Sequence, residues 1–247
     1  MLTIIIALGL FLLTTGLILA FSLPQLNRGW SFRSIKGFDQ LKLAISKAVE
    51  NGTRIHLALG NGSIIQSNFA SGLTGLATLD RIAQITTSTD RPPLATSGSG
   101  PMAILSQSTL RSAYRDAYLL EVYDPDRGLL AGVTPFSYVA GILPTSHSKQ
   151  VSTHIFSGSF GPEIALAVEA AEKESAFTIA SSDSMTAQAV LFATANEPLI
   201  GEELFAMPAY LKPNPFHSAS LAAQDVLRWG IIAFLMIGAL LRVLGIL

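Results

Sequence analysis

The sequence contains no cysteine. That removes disulfides, thiolate nucleophiles and Cys-ligated metal or iron–sulfur centres from consideration. Charge is scarce as well: Asp, Glu, Lys and Arg make up 13% of 247 residues, against 49% hydrophobic residues, and the net charge is −1. No basic run marks the central region, so a nucleic acid has no electrostatic footprint to bind. There are four histidines, and no pair has the spacing of a helical metal motif such as H-E-x-x-H. Long low-complexity tracts and fixed-period repeats are missing too.

Two long apolar runs stand at the ends. Leu2–Phe21 is twenty residues without a charge. As a helix rising about 1.5 Å per residue it reaches roughly 30 Å, the hydrocarbon thickness of a bilayer. A cleaved signal peptide is the rival, but it calls for a basic n-region, a shorter core and a small-residue cleavage site. Trp229–Leu241 is the second run, interrupted by Arg242. An arginine at mid-bilayer costs about 2.5 kcal/mol or more, whereas one near a helix end snorkels to the interface. The competing account, a core helix of the soluble part, requires burial on every side.

The expected organisation is a transmembrane helix over 1–22 and a juxtamembrane connector over 23–37. A soluble α/β domain over 38–212 follows, then a linker and helix start over 213–225 and a second transmembrane helix over 226–247. Pro24, Trp30 and Phe32 suit the connector's place at the interface. Arg28, Arg33, Lys36, Lys42 and Lys47 follow the first span closely. By the positive-inside rule the domain then faces the cytoplasm of a bacterial inner membrane.

Within the domain, short apolar runs alternate with helical periodicity. Helices are expected near 38–49, 68–85, 101–118, 136–143, 162–175 and 186–195. Strands are expected near 54–59, 93–96, 129–133, 151–156 and 177–180, with Leu120–Tyr123 as one more strand candidate. A short helix over 200–207 and a last helix beginning near Ser218 complete the reading. Alternating strands and helices imply βαβ units and a mainly parallel, covered sheet. The expected fold is a Rossmann-like three-layer α/β sandwich of four to six strands.

Four strand ends run into Gly-, Ser-, Asn- or Asp-containing loops just before a helix. Ligands of parallel α/β sheets bind outside the carboxyl ends of the strands, and helix N-termini offer free N–H groups to anions. Asn61, Ser63, Ser97, Ser99, Ser157, Ser159, Ser182 and Asp183 are therefore the candidate ligand-binding residues. Ordinary N-capping favours the same residue types in the same places and is the competing account. No loop is a specific motif. Gly60-Asn61-Gly62 lacks the third glycine of a dinucleotide fingerprint, no lysine completes a P-loop, and neither Ser99 nor Ser159 fits G-x-S-x-G. His56 and His154 fall inside expected strands, where burial and hydrogen bonding are the expected role. Glu197, Glu202 and Glu203 form a small acidic cluster, read as a solvated helix start or as a paired-carboxylate site. No catalytic set, cofactor site or metal site can be assembled.

Three stretches carry a family resemblance: Gly158-Ser159-Phe160-Gly161, the run Ala193–Phe205 that includes Asn196-Glu197-Pro198, and Ser220–Trp229. They resemble an uncharacterised family of bacterial membrane-anchored domains, over most of the soluble region and the last span. The resemblance implies the architecture and contributes no site residues. The function expected from the residues is a non-enzymatic accessory or scaffold subunit of a membrane assembly. Its partners would be lipid, other membrane subunits or further copies of itself. The alternative is a cytoplasmic sensor of a small anion or nucleotide at the Ser/Gly rim. A hydrolase would need a rim serine within about 3 Å of a histidine.

Overall fold

The computed structural model describes residues 2–23, 33–65, 68–89, 91–148, 150–211 and 215–244. The chain divides into two units, one of residues 1–33 with 212–247 and the other of residues 34–211.

The first unit holds two long helices, α1 (Leu2–Ser22) and α9 (Pro215–Val243), which pack against each other. Both are long and apolar enough to cross a membrane, and none of the most apolar stretch of either is buried within the protein. The alternative of a soluble core helix is not met, because such a helix would be covered. The less exposed positions of α1, among them Thr14, Leu17, Ile18 and Phe21, recur at helical spacing. Helix α9 begins at Pro215 rather than near Ser218. A proline in the first turn loses nothing, since its missing N–H would have no intrahelical partner there. Most of the expected connector, including Pro24, Arg28, Trp30 and Phe32, lies outside the described residues, as does Lys212–Asn214 ahead of α9.

The second unit runs α2 (Lys36–Glu50), β1 (Arg54–Gly60), α3 (Phe69–Thr86), β2 (Leu94–Ser97), α4 (Gly100–Asp116) and β3 (Gly128–Leu130). It continues through α5 (Pro135–Ser146), β4 (Val151–Ser159), α6 (Ala165–Lys173), β5 (Phe177–Ser182), α7 (Met185–Thr194), β6 (Glu197–Leu199) and α8 (Glu203–Leu211). The six strands form one sheet in the order β3-β2-β1-β4-β5-β6, and every adjacent pair is parallel. This is the doubly wound, Rossmann-like α/β arrangement, with the order reversing between β1 and β4.

Alternation along the strands sorts side chains onto two faces. Ala58, Phe156 and Ala180 pack with Tyr138, Val139 and Ile142 of α5, Ala167 and Val168 of α6, and Ala187 and Leu191 of α7. Leu59 turns to the other face, where α3 comes so close that a Cβ at Gly75 would stand 2.6 Å from Ser157 O and 2.7 Å from Leu59 Cδ2. Glycine is what lets this helix lie on the strands. Helix α2 returns along the sheet to feed β1, so its first turn is level with the carboxyl ends of the strands. There Phe38 stacks on Tyr210, near the end of α8, with ring centroids 4.4 Å apart. The chain thus enters and leaves this unit at one place.

Two elements differ from expectation. Leu120–Val122 is a short 3-10 helix, not a strand. Pro125 follows closely, and the neighbouring Tyr123 is held by a bond from its hydroxyl to Gln107 O, which leaves no extended run to pair. Strand β6 was not anticipated, because Pro198 interrupts the apolar pattern. At a sheet edge a proline is tolerated, since one side of the strand needs no donor.

Candidate functional site

The switch point of the sheet lies where β1 and β4 part company, because loops leaving adjacent strands in opposite directions open a space there. Here the space is drawn closed by the loops themselves. Gly60 has φ +69°, and a Cβ on it would collide with the Ser159 carbonyl. Asn61 N donates to Ser159 O at 2.8 Å, and Gly98 N donates to Gly60 O at 2.7 Å. The β1 loop is thus tied to the β4 loop on one side and to the β2 loop on the other.

The eight candidate residues all stand at the carboxyl ends of β1, β2, β4 and β5, and most are engaged. Ser99 Oγ donates to Gly62 O at 3.1 Å. Ser159 Oγ accepts from Asn68 Nδ2 at 2.7 Å. Ser182 is buried, accepts from Phe160 N and Ser184 N, and donates to Phe160 O. Ser97 is buried and donates to Leu129 O at 3.3 Å, supporting β3. Ser63 Oγ accepts from Ile65 N at 3.5 Å, a long bond. The Asp183 carboxylate accepts from Ser71 Oγ at 2.7 Å. Ser157 is buried with its hydroxyl unpartnered, and the side-chain oxygens of Asn61 and Asn68 are likewise buried and unpartnered.

The capping account fares unevenly. Thr134 forms a full capping box with Ser137 on α5. Asn68, Ser99 and Ser184 stand at the N-cap positions of α3, α4 and α7 and make no side-chain cap bond. They bond other loops or neighbours instead, so among the described residues the N-cap side chains of α3 and α4 accept from no first-turn N–H group. Two uncapped helix starts favour an anion. The Asp183 carboxylate, bonded to the first turn of α3, works against one. Sequence reasoning passed over Asn68 and Ser71. The position of Asn68 just ahead of the apolar run of α3 was the available signal.

Beneath this end of the sheet lies a buried polar chain. His56 and His154 are register partners on β1 and β4, both fully buried. Their Nδ1 atoms are 3.0 Å apart, so one ring donates and the other accepts. His56 Nε2 meets Thr96 Oγ1 at 2.8 Å, and Thr96 Oγ1 lies 3.2 Å from the Tyr138 hydroxyl. That hydroxyl accepts from Gly60 N at 3.3 Å. The chain therefore runs from the middle of the sheet to the switch-point glycine. At its other end His154 Nε2 has no partner among the described residues.

Burial explains the titration of these groups. It holds His154 down to about 4, puts His56 well below the ordinary range with help from its histidine neighbour, and pushes Tyr138 up to about 12. Neither buried histidine bonds a rim serine, so no hydrolase pair is formed by them. Among the described residues no three acidic or histidine side chains gather to hold a metal. The acidic cluster is divided: Glu197 pairs with Lys36 at 3.0 Å, and Glu203 accepts from Ile200 N at 3.4 Å at the start of α8.

The histidine pair sets the acid side of the stability curve. The folded protein refuses protons that the unfolded chain binds at these imidazoles, so their contribution is fully present above about pH 6.5. It is lost as the pH falls toward about 4. For His154 alone the loss is on the order of 3 kcal/mol. Chemical denaturation followed from pH 7.5 to 4 is expected to show this slope. His154→Phe removes its own share of the slope and destabilises at neutral pH by roughly 1–3 kcal/mol, because His56 loses its partner.

No curated protein and no solved structure matches the chain. A family model does match, over residues 2–247. The α/β unit and both flanking helices fall within that match, and the chain belongs to the family described as domain of unknown function, DUF6754.

Proposed function

We propose that the protein is a membrane-anchored, non-enzymatic accessory or scaffold subunit of a larger membrane assembly. One observation carries this reading. The carboxyl end of the sheet, where α/β folds usually receive ligands, is filled by its own loops and rimmed by exposed apolar side chains. Ile65 is 82% exposed, Ile104 67%, Val133 70%, Phe136 72% and Met185 84%. They come from the loop after β1 and from the approaches to or first turns of α4, α5 and α7. No Asp, Glu, Lys or Arg occurs in 55–79, 92–110 or 128–148. Charge gathers at the other end of the strands, with Lys47, Glu50, Arg54, Arg115 and Asp116. An exposed apolar rim over β1, β2 and β3, with Asp183 and Glu163 as the charges on the β4–β5 side, is the composition of a docking face.

The setting is a bacterial inner membrane, spanned by α1 and α9, with the α/β unit in the cytoplasm. Lys36, Lys42 and Lys47 follow α1 and support that side. Arg242, near the end of α9, suits the far interface or an acidic partner in a neighbouring span.

A second reading, a sensor of a small anion or nucleotide, is favoured by the uncapped starts of α3 and α4 at the switch point. Asp183 and the knitted loops weigh against it.

Extracted from membranes in mild detergent, the chain is expected to run as a particle several times its own 26.2 kDa mass. A monodisperse monomer overturns the scaffold reading. The absence of native cysteine makes sidedness direct to measure. In Met185→Cys, a membrane-impermeant thiol reagent should label only after cells are opened, and labelling of intact cells reverses the orientation. Nucleotides and phosphorylated metabolites should leave the melting temperature of the folded protein unchanged. A consistent stabilising shift with one class would put the sensor reading first.

A further inference from the structure

The two edges of the sheet are built differently. At β6, Pro198 removes a donor and the Lys36–Glu197 ion pair stands alongside. At β3 no proline or charge occurs from Gly128 through Thr134, and the strand has a neighbour on one side only. One outward group there is already taken: Gln107 Nε2 donates to Gly128 O at 2.9 Å. Around this edge the apolar side chains are uncovered: Tyr118 96%, Val122 65%, Leu129 38%, Leu130 49%, Val133 70% and Phe136 72% exposed. A soluble sheet normally blunts such an edge with charge or proline; β6 carries both within the strand, whereas in β3 they stop at Pro125 and Arg127, just before it.

We propose that the β3 edge pairs with the β3 edge of a second copy of the chain. This rests on the scaffold reading and names the partner. A two-fold axis brings identical strands together antiparallel. The charge pattern suits that arrangement. Glu121, Asp124 and Asp126 outnumber Arg127, which pairs with Asp124, at the start of the stretch, and 128–148 carries no charge. Antiparallel pairing sets the acidic end of each copy against the neutral Val133–Phe136 end of the other, so like charges stay apart. Parallel pairing would stack them. The three residues of β3 limit what backbone bonds contribute, and the side chains supply the remainder. Six large side chains exposed to this degree present several hundred Å², on the scale of the roughly 800 Å² per partner of a specific interface. With one edge open and the other blocked, edge pairing stops at two copies, and higher assembly needs the apolar rim.

The test uses single cysteines in the otherwise cysteine-free, full-length chain in native membranes. Leu130→Cys and Leu129→Cys lie near the two-fold axis, and mild oxidation is expected to shift most of the chain to twice its mass. Phe192→Cys on α7, more exposed at 70% but beside the other edge, is expected to stay single. The pairing is overturned if neither β3 variant cross-links, or if Phe192→Cys cross-links equally. A large wild-type particle without β3 cross-links leaves the scaffold reading standing and removes this one. A monomer in mild detergent without cross-links removes both.

Discussion

The pairing of β1 with β4 is the constraint from which the rest of the α/β unit follows. These strands are distant in sequence, with His56 and His154 98 positions apart, and they join the two halves of the sheet. Their register fixes which residues face α5, α6 and α7 and which face α3. It also brings two buried imidazoles into contact, in line with Thr96 and the Tyr138 hydroxyl. A shift of one residue would turn every one of these side chains to the opposite face and separate the ring nitrogens. Hydrogen bonding between buried groups of this kind adds little net stability, yet it penalises each misaligned pairing heavily. The histidines therefore act as a register pin between the halves of the sheet.

The same meeting point explains the closed crevice. Gly60 with its positive φ lets the β1 loop fold directly onto Ser159. Serines and asparagines that resemble helix caps in the sequence are drawn into loop-to-loop bonds instead. The cost is carried by α3 and α4, whose first turns go without side-chain caps. What emerges at the surface is a set of apolar side chains around a polar centre in which most groups bond one another and a few, among them Ser157 Oγ and the Asn61 and Asn68 side-chain oxygens, do not.

Much of the fold was legible because strand and helix periodicities alternate cleanly and glycine or serine marks most strand ends. Parallel topology, six strands as the upper expectation, and two apolar terminal helices all followed from that pattern. Edge elements were not legible. Pro198 hid β6, since a proline within a strand is acceptable only at an edge, and edge position is a tertiary fact. Leu120–Val122 has β-like composition but is curled by the turn that follows. At the site, the location of the rim could be read, while its connectivity could not. Whether Ser99 caps α4 or bonds Gly62 depends on how near the β1 loop lies, which no local pattern encodes. Ser71 and Tyr138 were missed for the same reason, whereas Asn68 stood at a readable helix start.

The stacking of Phe38 on Tyr210 has a mechanical meaning. Because the chain enters and leaves the α/β unit at one clasp, tension applied between its two ends loads that aromatic contact first. The strands, joined behind it, bear no pull along their length. A pull between the two ends of this unit would be absorbed as peeling at the clasp, while the sheet kept its shape.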